Sequence, residues 1–173
     1  MTIKNVNKNE YFIEKNGVKI LSYILVQDTL CIGSGDILID DKLFIKIISF
    51  LKESVLKDDM VIQVVNKDLF SLFDKYCKII DIQVERTLNY YEDNYDIKEK
   101  YIEIDNLKIK YFETEKSAFC NFIKNEISDD LEILKVINYL KNKNKLSFIT
   151  DVQNLDYLLS LGFKIECKDY KLC

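Results

Sequence analysis

The chain has 173 residues, a formal net charge of −4 and 48% apolar residues, enough for one large domain or two small packed ones. The acidic balance argues against nucleic acid, whose phosphates need a basic patch, and no apolar run of about 18 residues offers a membrane span. The chain has no His, which excludes a Ser-His-Asp triad, a Cys–His nucleophile pair and a Cys/His zinc site.

The first residues, MTIKNVNKNEYF, lack the apolar stretch of a secretion signal. The five Cys are odd in number and form no CxxC, which predicts reduced, mostly buried thiols in a cytoplasmic protein. Many Lys, Asn and Ile with no Pro fit an AT-rich, bacterial genome. Residues 10–26 predict a β-hairpin, because Asn16-Gly17 suits a turn in which both central residues need positive φ. Residues 29–39 follow as a third strand, weakened by Gly33 and Gly35. Residues 41–55 predict an amphipathic helix. Leu43, Phe44, Ile47, Ile48 and Leu51 share one face, and the Asp40-Asp41 pair stands where an N-cap belongs. A buried strand at 60–65, a short helix at about 67–76 and a strand at 79–88 complete this half.

The pattern then recurs. From Asp40 to Asp129 the offset is 89, and it also aligns Lys46 with Lys135, Ile48 with Ile137, Leu51 with Leu140, Glu14 with Glu103 and Cys31 with Cys120. The second series predicts a hairpin at 99–113 turning at Asp105-Asn106, a more helical stretch at 118–128, and a helix after Asp129-Asp130. Strand 145–150, a helix at about 152–161 and strand 163–170 follow. Residues 89–99, polar and acidic with interleaved Tyr, form the joint. The expectation is an α/β (α+β) chain of two tandem ββ(β)αβαβ repeats, 1–92 and 93–173, packed together with one sheet across a pseudo-twofold axis. Equivalent Cys31 and Cys120 would be two equivalent core sites rather than a nucleophile. Asp58-Asp59 and the acidic joint (Glu92, Asp93, Asp96) lack Ca²⁺-loop spacing, so no metal site is expected. Tyr90, Tyr91, Tyr95 and Tyr101 are read as packing at the joint.

This order of elements resembles the C-terminal part of the GCN5-related N-acetyltransferase (GNAT) fold. The resemblance is sharpest over 60–78, where Asn66, Leu69, Leu72 and Phe73 fall on family positions, and over 158–165, which carries Gly162-Phe163. It implies a GNAT-like mixed sheet, acetyl-CoA as cofactor, and a small-molecule or protein amine as acceptor, with a homodimer left open. Asn66, Gly33 and Gly35 would lie by the coenzyme, and Glu14 or Asp36 would serve as base. Two departures stand against this. Asp40-Asp41 and Asp129-Asp130 occupy the turns where the family holds pyrophosphate on helix N–H groups. Phe73, with Leu158 or Leu159, stands where the family often has a Tyr acid. The alternative is a catalytically inactive GNAT-like module that binds a protein or a small regulatory ligand. The two readings separate on one feature. Coenzyme entry needs the strand before Asp40 and the strand at 60–65 to splay, and full pairing closes the cleft.

Overall fold

The computed structural model describes residues 1–33, 37–57, 59–88, 96–104, 107–121 and 130–172. The chain is mixed α/β and divides into two compact units, Met1–Ile80 with Cys167–Cys173, and Asp81–Glu166.

The first unit opens with β1 (Thr2–Asn5), β2 (Glu10–Lys15) and β3 (Val18–Val26), an antiparallel meander. Asn16 and Gly17 turn the β2–β3 hairpin at φ 54° and 80°, as the Asn-Gly signal requires. Strand β1 is polar apart from Ile3 and gave no strand pattern in the sequence. It forms as a short edge beside β2. Next come β4 (Thr29–Ile32), α1 (Asp41–Ser54), β5 (Val61–Val64), a 3-10 turn (Lys67–Leu69) and α2 (Phe70–Tyr76). The last strand of the chain, β11 (Lys164–Leu172), pairs antiparallel with β5 through Lys168, Asp169 and Tyr170. Along this sheet β4 is antiparallel to β3 and parallel to β5.

The core follows from the two periodicities. On β4 and β5, Leu30, Ile32, Ile62 and Val64 are fully buried, while Cys31 and Gln63 between them point to the other face. Phe44, Ile47 and Leu51 of α1 and Phe73 of α2 close over the first set, with Leu43 and Ile48 at the margin. Each such aliphatic side chain contributes about 1.5–3 kcal/mol when fully buried.

The second unit carries the later part of β6 (Cys77–Thr87), then β7 (Lys98–Ile104), β8 (Leu107–Glu113), β9 (Ser117–Asn121), α3 (Asp130–Tyr139), β10 (Lys145–Thr150) and α4 (Val152–Ser160). Here β7 and β8 form the hairpin, β9 is antiparallel to β8, and β10 is parallel to β9 and antiparallel to β6. Ile133, Val136 and Ile137 are the buried face of α3, and Phe148 packs on Phe163 with ring centroids 5.1 Å apart. The turn at Asp105-Asn106, the capping position Asp129 and the joint tyrosines 90, 91 and 95 lie outside the described residues.

Three expectations need correction. The third strand does not run to residue 39. It stops at Ile32, where the Gly33 N–H turns to the Ser22 carbonyl at 3.1 Å. The apolar run beyond it belongs to the helix entry. Leu38 is 95% exposed, while Ile39 is buried just before the Asp40 cap and Phe44 is buried five residues on, the positions of a hydrophobic staple. The stretch from residue 118 is not helical at its start: Ser117–Asn121 is strand, because it pairs with β8 on one side and β10 on the other.

Third, Cys31 and Cys120 are not equivalent. Strand β3 carries a bulge at which Ile13 faces Leu21 but Glu14 faces Lys19, leaving Ile20 extra. In the second hairpin Ile102 faces Ile109 and Glu103 faces Lys108 without interruption. One inserted residue moves every later side chain to the opposite face. Beyond the bulge Tyr23 opposite Ile32 corresponds to Tyr111 opposite Cys120, an offset of 88 rather than 89. Cys120 is therefore fully buried, and Cys31 is half-buried on the other face of its own sheet.

Candidate functional site

In the first unit the resemblance places the site where β4, β5 and the start of α1 converge. The structure brings Gly33 and Asn66 together there, because the Val65 N–H donates to the Ile32 carbonyl at 3.2 Å and continues the parallel ladder to its end. Both groups are already engaged. The Gly33 N–H is held by Ser22. The Asn66 side-chain oxygen accepts from the Asp68 N–H at 3.1 Å and caps the 3-10 turn. All four residues of β4 pair with β5, Thr29 with Val61 through Ile32 with Val64, so no cleft opens over their described length. Glu14 sits elsewhere, near the hairpin end of β2 and level with Thr2 and Lys19. Ser22, the partner of Gly33, is level with Phe12, roughly 7 Å along the ladder from Glu14 at 3.4 Å per residue. Gly35 and Asp36 lie outside the described residues.

The N-terminus of α1 is occupied by its own carboxylates. Asp40 accepts from the Leu43 N–H at 2.7 Å, the usual N-cap bond to the third helical residue. Asp41 takes the Lys75 ammonium and the Tyr76 hydroxyl, each at 2.6 Å. Those two hydrogen bonds hold its carboxyl below the ordinary aspartate value. Replacing Asp40 with alanine is expected to destabilise the protein by about 1 kcal/mol. Asp41→Asn is expected to change little, because its pair is more than half exposed. Thermal melting of the two variants checks this.

Two polar rows flank this end, and sequence reasoning missed both. On the helix-covered face Asp74 of α2 accepts from Lys168 (2.7 and 3.0 Å) and from the Tyr170 hydroxyl (2.7 Å). Burial, together with donation to Asp74, pushes the Tyr170 hydroxyl well above the usual tyrosine range. On the opposite face the Cys31 thiol approaches the Gln63 side-chain oxygen at 3.6 Å, and the Gln63 amide donates to Asp169 at 3.1 Å. Burial and the nearby Asp169 charge raise the Cys31 thiol, and burial pushes Cys120 up to about 12. Protonated thiols of this kind are poor nucleophiles.

In the second unit a recess of about 240 Å³ is lined by Asp96, Lys98, Glu113, Thr114, Glu115 and Lys143. Of these Glu113 is only 11% exposed, paired with Lys100 at 2.5 Å and Lys143 at 2.9 Å. Lys143 also donates to the carbonyls of Thr114 (2.6 Å) and Glu115 (3.0 Å), tying the α3–β10 connection to the β8–β9 turn. Burial pushes the Glu113 carboxyl up, but hydrogen bonds from Lys100 and Lys143 outweigh it and hold the carboxyl below the ordinary glutamate value. A depressed folded-state value gives stability that is present above the unfolded value and is lost as pH falls through the folded one. Wild type should therefore melt well above Glu113→Gln at pH 7. The gap should narrow steadily below about pH 4, under the ordinary glutamate value. Parallel melting curves from pH 7 to pH 3 would refute this coupling if the gap stayed constant.

Among the described residues no group of three or more His, Cys, Asp or Glu could hold a metal ion, and no helix is long and apolar enough to cross a membrane. No family model matches the chain, and no curated protein matches it. Among solved structures, a Thermoplasma acidophilum protein named as a candidate acetyltransferase is similar over 94% of this chain and 76% of its own. That similarity has a TM-score of 0.41 and 11% sequence identity.

Proposed function

We propose that this chain is a GNAT-like tandem duplication whose first unit does not use acetyl-CoA and instead serves as a binding module for a protein or a small regulatory ligand. The observation that carries this reading is the closed N-terminus of α1. Asp40 satisfies a helix N–H that a pyrophosphate would need, and Asp41, pinned by Lys75 and Tyr76, adds a negative charge where an anion would sit. The paired β4–β5 ladder, the engaged Asn66 and Gly33, and the buried Phe73 support the same conclusion.

Acetyl transfer to an amine is the second reading. It is favoured by the strand order shared by the two units: hairpin, antiparallel third strand, parallel fourth, antiparallel fifth. The acceptor would be a small-molecule or protein amine. Melting the protein with and without millimolar acetyl-CoA decides between the two. A ligand at about 100 times its dissociation constant stabilises by about 2.7 kcal/mol, a rise of several degrees for a chain this size. No rise is expected. A clear rise would overturn the binding-module reading and direct attention to amine acceptors.

A further inference from the structure

We draw no further inference here: the strongest candidate, the charged recess beside the β8–β9 turn of the second unit, carries nothing because its two deep charges, Glu113 and Lys143, are already paired with each other, with Lys100 and with the backbone of the turn, so its wall names no ligand.

Discussion

Replacing Phe73 with alanine is expected to destabilise the protein by about 3–5 kcal/mol, which is roughly 6–20 °C in melting temperature at about 2–4 °C per kcal/mol for a chain of this length. Phe73 is 1% exposed. Its ring meets Phe44 edge-on, centroids 4.8 Å apart at 83°, and lies 5.1 Å from the Tyr170 ring. The loss has two parts: the transfer energy of a large aromatic side chain, and the cavity left between a helix and a strand that cannot both collapse inward. Tyrosine at the same position makes a sharper test, because it restores the hydroxyl that the GNAT resemblance expects. If Phe73 stood at an open catalytic cleft, Phe73→Tyr would be neutral. In this core Phe73 is 1% exposed and closed in by the Phe44 and Tyr170 rings, so the added hydroxyl must displace packed neighbours, and overpacking a core costs about 1–3 kcal/mol. Melting both variants beside wild type checks the argument. A Phe73→Tyr protein as stable as wild type would reopen the catalytic reading.

What the sequence disclosed about this region was local. Helix α1 was legible because its signals sit within a few residues of one another: Asp40 at the cap and an apolar stripe at 3.6-residue spacing, borne out by buried Phe44, Ile47 and Leu51. The first hairpin was legible because Asn16-Gly17 tolerates the φ values that the turn imposes. Features that depend on a partner distant in sequence were not legible. The bulge at Ile20 is set by what faces it across β2, so an alignment at constant offset misassigned Cys31. The run Ile37-Leu38-Ile39 looked like strand because it is apolar, yet only Ile39 is buried, and it serves the helix entry. Of the candidate site residues, Gly33 and Asn66 are neighbours at the end of one ladder, but nothing in the sequence shows that their polar groups are used within the fold. Asp74 and Lys168 lie 94 residues apart and meet only because β11 docks on β5.

That pair gives the second large effect. Asp74→Ala is expected to cost about 2–3 kcal/mol, because it strands two donors. The Tyr170 hydroxyl is at a fully buried residue, and Lys168 is 8% exposed beneath the Phe70 ring at 5.1 Å. An unsatisfied buried donor costs about 1–3 kcal/mol, more when it is charged. Asp74 is itself 37% exposed at its side chain, so water entering the vacated space softens the penalty below that of a wholly buried ion pair. A double variant separates this from simple loss of packing. Lys168→Met keeps the stem and removes the charge, so Asp74→Ala with Lys168→Met should be more stable than Asp74→Ala alone, although it carries one more substitution. If the two changes add instead, Lys168 was not held by Asp74, and α2 is fixed to the C-terminal strand by its aromatic contacts alone. Urea unfolding of the two single variants and the double measures the coupling directly, because Lys168→Met stabilises where Lys168 is stranded and destabilises where it is paired with Asp74.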